Sequence, residues 1–248
     1  MGETRARTPP PSPTLGPLCG PNPQGEGESP RYHRDTALLR LLTWLSPAFP
    51  TGGYAYSHGL EWAVESGDVT DETTLHAWLL DTLIHGSGRT DTILLRHAHR
   101  AAADPPALAE IAELAAATAP TRERQAEALD QGQAFLAAAA TWLSIPLEER
   151  VTYAVAVGAA AGASNIAEDD AALAWLHAFT SNLISAAVRL VPLGQTAGLR
   201  VLAAMEPTIL QVAGETRGAT LDDIGGCVFR ADLAAMRHET QYTRLFRS

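Results

Sequence analysis

The chain of 248 residues contains no lysine; all eighteen of its basic residues are arginine. Without lysine there is no P-loop grip on nucleotide phosphates and no Schiff-base chemistry. Cysteine is almost as scarce. Cys19 and Cys227 are far apart and neither sits in a C-x-x-C pair, which excludes a zinc knuckle or dithiol redox motif and fits a reducing compartment. The longest unbroken run of small apolar residues, Ala154 to Ala163, falls well short of the roughly 20 residues that span a bilayer. The first thirty-five residues lack the apolar stretch of a secretory signal. Positive charge is in deficit too. A net charge of −10 argues against nucleic acid, whose affinity comes from cations that neutralise phosphates. These absences together predict a soluble, cytoplasmic protein with no membrane and no nucleic-acid partner.

What remains is helical. Residues 1–35 hold half of the sixteen prolines, with Gly and Ser between them, and are expected to form a disordered leader. From residue 36 to 248 the pattern predicts a single all-α domain of about eight to ten helices. Leu38, Leu41, Leu42 and Leu45 fall on one stripe; Leu75, Trp78, Leu79 and Leu83 repeat it behind a cap at Thr70 or Asp71. Further segments begin near Ile93, after Pro105-Pro106, and at Pro120 on through Leu143. The last four cover Val151 to Ala163, Asp170 to Val191, Thr196 to Gly214, and Leu221 to about Tyr242. Gly158 and Gly162, four apart, invite a neighbouring helix to approach closely.

Two segments break this regularity. Ser46-Pro47-Ala48-Phe49-Pro50-Thr51-Gly52-Gly53-Tyr54-Ala55-Tyr56-Ser57-His58-Gly59-Leu60-Glu61 reads as a loop between helices, with Gly52-Gly53 free to take positive φ and Ser57 as a helix cap. Tyr54, Tyr56 and Phe49 form an aromatic platform that either plugs the loop onto the core or faces a partner. Ser57 beside His58 is not a nucleophile elbow, because the preceding strand and the G-x-S-x-G frame are missing. The other segment is the final one, where Tyr242, Leu245 and Phe246 lie among Arg237, Arg244 and Arg247. Aromatic and Arg side chains carry much of the energy at protein interfaces. Either this segment docks on a partner, or it folds back on its own core.

The eight histidines do not make a chelate. His97 and His99 point to opposite sides of a helix, His76 and His85 are nine apart, and His238 has no second ligand at i+3 or i+4. A weak site shared across a subunit interface stays open, as does an all-α metal-dependent hydrolase using His58 or His238. A helical regulator of some other partner is a third reading. On the segment from Asp170 to Val191, Asn182, Ser185 and Arg189 form a polar stripe, followed by a corner at Pro192, Gly194 and Gln195.

Taken together, three stretches resemble the urease accessory protein UreF family. They are Leu42 to Gly67 with the glycine loop, Ala187 to Leu199 with Arg-Leu-Val-Pro-Leu-Gly-Gln-Thr-Ala-Gly, and the terminal His-Glu-Thr-Gln-Tyr-Thr-Arg-Leu-Phe-Arg-Ser. Pro120 to Arg124, leading to Gln131-Gly132, is a weaker match. The resemblance implies an all-α accessory protein with no catalytic site. It implies a homodimer that binds UreD (UreH in some systems), recruits the GTPase UreG, docks on apo-urease and governs GTP hydrolysis. No cofactor or metal is then bound tightly by this chain, and nickel is handled by the complex. By position, Tyr54 and Arg244 would recruit UreG, and Gly52, Gly53 and Tyr56 would belong to the same partner-binding surface. Tyr242, Leu245, Phe246 and Arg247 would become ordered on UreD. Asn182, Pro192, Gly194 and Gln195 would serve the fold and the dimer, and His177 stands where a dimer helix would carry an aromatic.

Overall fold

The computed structural model describes residues 30–143, 145 and 150–248; most of the expected leader, with Cys19, lies outside the described residues. Ten α-helices account for the architecture, and no strand occurs among the described residues. The first, α1 (Pro30–Trp44), starts six residues ahead of the boundary that proline content predicts. Pro30 itself occupies its first position, where a missing N–H costs nothing. After the glycine loop come the short α2 (Leu60–Glu65), then α3 (Glu72–His85) and α4 (Ser87–Arg100), separated only by Gly86.

Local chemistry sets these boundaries. Asp71 caps α3: its carboxylate accepts from the Thr74 amide at 2.9 Å, while the Thr74 hydroxyl receives the Asp71 amide at 3.0 Å. Asp104 caps α5 (Pro105–Ala117) and Thr121 caps α6 (Arg122–Ala139) in the same way, with bonds of 3.2 and 3.1 Å. Helix α6 stops at Ala139, short of the expected Leu143, in a turn through Trp142.

The centre is α7 (Tyr153–Ala163) laid along α4. Residues Ala154 to Ala161 are buried all round, so α7 has no polar face. Around this pair stand α3, α5, α6, α8 (Glu168–Leu190) and α9 (Gln195–Glu215), with Trp44, Leu75, Leu79, Leu83, Leu108 and Phe135 in the core. Helix α8 is long and apolar enough in composition to cross a bilayer, but half of that stretch is buried inside this body. The corner between α8 and α9 keeps Pro192, Gly194 and Gln195 exposed; Gly194, at φ −72°, needs no special freedom.

The expected single helix from Leu221 to Tyr242 is a correction. A short turn at Leu221–Asp223 leads to extended chain, and α10 covers only Phe229–His238. The cause is Gly226, where a Cβ would stand 2.0 Å from the His85 carbonyl oxygen. The chain is threaded against the end of α3 there and cannot coil. Helix α10 then packs on α2.

Candidate functional site

The glycine loop enters a single 3₁₀ turn at Gly53–Ala55, and Gly52 takes the left-handed conformation, φ +74°, that the turn requires. Asn182 on α8 donates to the Gly53 carbonyl oxygen at 3.3 Å, so one residue of the polar stripe holds the loop in place. The loop's aromatics divide. Phe49 and Tyr56 turn inward, the latter with its hydroxyl 3.5 Å from Asp130, while Tyr54 stands 73% exposed. Tyr56 is therefore a plug, not an outward contact. Ser57 does act at the start of α2, accepting from the Glu61 amide at 3.2 Å, although the helix begins at Leu60 with Gly59 at its cap.

The C-terminal segment folds back onto this loop. Arg247 donates its amide to the Ala55 carbonyl at 2.8 Å, and the Ser57 amide donates to the Ser248 backbone oxygen at 2.8 Å. Phe246 is 5% exposed under the Arg189 guanidinium, which lies 4.4 Å above its ring. Phe246 thus faces the core of this chain, and the segment is held against the glycine loop by the Ala55 and Ser57 bonds. Tyr242, Leu245, Arg244 and Arg247 project outward, with Arg244 donating to Glu123 at 2.5 Å.

Three outward residues escaped sequence reasoning. Phe229, Leu233 and Met236 are exposed on α10, adjacent to the terminal segment. Their i, i+4, i+7 spacing is legible, but it reads as a core stripe until the helix is seen to bury its Ala234-Ala235 side instead.

Behind the loop lies a cavity of about 230 Å³ lined by His58, Asp91, Arg124, Glu127 and Thr152 among others. His58 has φ +63°, a strained backbone for a non-glycine residue. Burial, seconded by the Arg124 charge, lowers its pKa to about 4. Burial alone would raise Glu127; the Arg124 guanidinium and His58 outweigh it and hold the carboxyl at about 2. Burial raises Asp91 to about 7, although the residue keeps some surface and lines the cavity. The signs follow. His58 and Glu127 favour the folded state at neutral pH and withdraw that support as pH falls through their folded values. Asp91, whose folded form retains a proton, withdraws its support as pH rises through about 7. Asp91→Asn is therefore expected to gain stability, and to gain about 1–3 kcal/mol more at pH 8 than at pH 5, in urea melts at both values.

Ser87, His58 and Glu127 stand in line, with His58 Nδ1 3.5 Å from the Glu127 carboxylate. His58 Nε2 lies 2.7 Å from the Ser87 hydroxyl, and both nitrogens of His238 face carboxylates. Ser57 bonds Ser248 and not an imidazole. Among the described residues, no group of three or more His, Cys, Asp or Glu side chains is placed to hold a metal ion.

The UreF family model matches residues 69–206. A urease accessory protein UreF from Bradyrhizobium sp. (strain BTAi1 / ATCC BAA-1182) is 55% identical over 221 residues, covering 86% of this chain and 92% of that relative. The chain belongs to the UreF family. Urease accessory proteins UreF from Methylobacterium sp. (strain 4-46) and Xanthobacter autotrophicus (strain ATCC BAA-1158 / Py2) are 51% and 52% identical. They cover 85% and 86% of this chain, and 88% and 91% of themselves. In this UreF-family chain the glycine loop and terminal segment lie outside the span of the family model, although they carry the exposed Tyr54 and Arg244.

Proposed function

We propose that this chain is a non-enzymatic, cytoplasmic subunit of the urease maturation machinery, bridging UreD and the GTPase UreG and regulating GTP hydrolysis while nickel passes to apo-urease as cargo. The observation that carries this reading is the hydrogen-bonded union of the glycine loop with the terminal segment, Arg247 to Ala55 and Ser57 to Ser248. It joins the segments bearing Tyr54, Tyr242, Arg244 and Leu245 into a surface of interface-type residues. We assign Tyr54 and Arg244 to UreG. Tyr242, Leu245 and Arg247, with the α10 stripe of Phe229, Leu233 and Met236, are assigned to UreD.

A homodimer has a separate face. An apolar groove of about 760 Å³ between α1, α8 and α9 is lined by Leu38, Leu42, Leu173, His177 and Leu210. Leu38, Leu42 and Leu210 are more than half exposed, as expected of a face that a second copy covers. Asn182 holds the glycine loop and does not line this groove.

Pull-down of UreG by a preformed complex with UreD tests the assignment. Tyr54→Ala or Arg244→Ala is expected to weaken recruitment about 30-fold, the effect of losing roughly 2 kcal/mol at an interface hot spot. Recruitment at wild-type strength by both variants would refute these sites.

A further inference from the structure

Three side chains from separate elements meet behind the glycine loop. Ser87 is the first residue of α4, His58 closes the loop, and Glu127 lies on α6. The Ser87 hydroxyl is 2.7 Å from His58 Nε2, and His58 Nδ1 is 3.5 Å from the Glu127 carboxylate. Glu127 is itself held by Arg124, by the Ser248 hydroxyl and by Gln131 Nε2 at 3.3 Å.

This geometry decides the tautomer. A neutral imidazole carries one N–H. Were it on Nε2, the Nδ1 lone pair would face a buried carboxylate. On Nδ1 the proton faces that carboxylate and the Nε2 lone pair turns to the Ser87 hydroxyl, which must then donate. A serine whose proton points into the lone pair of an oriented imidazole has the arrangement of an activated nucleophile. Burial, which lowers the His58 pKa to about 4, keeps that lone pair free at neutral pH.

Backbone and cavity agree with this arrangement. His58 holds φ +63°, and such strain persists only where the surroundings enforce it, typically at functional sites. The Phe179 ring stands edge-on to the imidazole, 5.1 Å between centroids, and at Gly59 a Cβ would meet the Ala235 amide nitrogen at 2.9 Å. The amides of Ser87, Gly88 and Arg89 have no acceptor within α4, so the turn bearing the hydroxyl also offers donors to a developing oxyanion. Ser87 is half-buried and opens on a cavity of about 100 Å³, lined also by Gly86, Thr118, Pro120 and Val228. That is well below the roughly 300–1,000 Å³ of a drug-sized site, and it suits a small acyl group.

We propose that Ser87 is a nucleophile, with His58 as its general base and Glu127 as the positioning residue behind the ring, and that it accepts a small acyl group from an activated ester or thioester. Ser87 Oγ attacks the acyl carbon, its proton passes to His58 Nε2, and the carbonyl electron pair moves onto oxygen. As the carbonyl re-forms, the bond to the leaving group breaks, and that group departs with the proton from Nε2. The products are a serine ester and an alcohol or thiol. The accessory role asks for no such step, and the two stand or fall separately.

The full chain, incubated with p-nitrophenyl acetate, quenched in acid and digested for peptide mass mapping, is expected to carry an acetyl group on Ser87. The absence of lysine keeps competing acylation low. Release of p-nitrophenol should fall about 100-fold or more in Ser87→Ala and in His58→Asn, which removes the base but tolerates the left-handed backbone. p-Nitrophenyl hexanoate, whose chain overfills the cavity, should react about 10-fold more slowly than the acetate or slower still. An unmodified Ser87 would overturn the proposal, and so would a wild-type rate in His58→Asn. Equal rates with the two esters would refute the small acyl group. Mapping of the wild-type chain decides the assignment even if both variants fail to fold.

Discussion

Arg96→Ala is expected to lose about 3–5 kcal/mol of stability, the combined cost of a buried carbonyl left short of a donor and of the void where a large side chain lay. Arg96 is 1% exposed at the junction of α4, α8 and α9. Its Nη1 donates to Glu168 at 2.7 Å and Asp169 at 2.9 Å, its Nη2 to the Ala213 carbonyl at 2.7 Å, and its Nε to the Thr216 hydroxyl at 3.2 Å. Truncation leaves the Ala213 oxygen without this donor and opens a void where the side chain lay. Arg100 and Arg217 also bind Glu168 and Asp169, so the acidic first turn of α8 does not become unpaired. The loss therefore comes chiefly from the buried carbonyl and the cavity. In a thermal melt it amounts to a fall on the order of 10 °C. Arg96→Met, which refills the space without donors, is expected to recover part of the loss. A melting temperature within about 2 °C of wild type for the alanine variant would mean that the junction is held by packing alone.

That junction also shows where sequence reasoning stops. The stripes of α1 and α3, and the cap at Asp71, follow from spacing and propensity, and so the all-helical class was legible. Arg96 was not, because an arginine amid Ile93, Leu94 and Leu95 announces nothing until α8 and α9 bring it four acceptors. Asn182 and Arg189 were visible as a polar stripe, and exposure was the simplest account. Only the fold reveals that Asn182 holds the glycine loop and Arg189 covers Phe246. The terminal segment was noticed for its composition, yet composition cannot say which side chain turns inward. Phe246 does so because Glu61 takes up its amide and that of Leu245, a contact spanning more than 180 residues. The break before α10 hinges likewise on a distant carbonyl, that of His85.

Gly158→Val carries the second large effect, because it strikes the contact on which the rest of the bundle is assembled. A Cβ at position 158 would lie 2.2 Å from the Leu95 carbonyl oxygen, and one at Gly162 would lie 2.3 Å from that of His99. Both clashes are with the backbone of α4, which has no rotamer to change, so α7 must move away bodily. Interiors packed to crystal-like density transmit such a shift instead of absorbing it. A loss of about 3 kcal/mol or more is expected for Gly158→Val, with Gly158→Ala lower but still above 1 kcal/mol. Gly214→Ala is the matched control, since nothing lies within 4 Å of a Cβ there. Its stability should be unchanged or raised by up to about 1 kcal/mol, through helix propensity alone. Urea melts of the three variants separate close approach from glycine's intrinsic cost in a helix. Equal shifts at 158 and 214 would show that α4 and α7 are not in the intimate contact that sets the position of every surrounding helix.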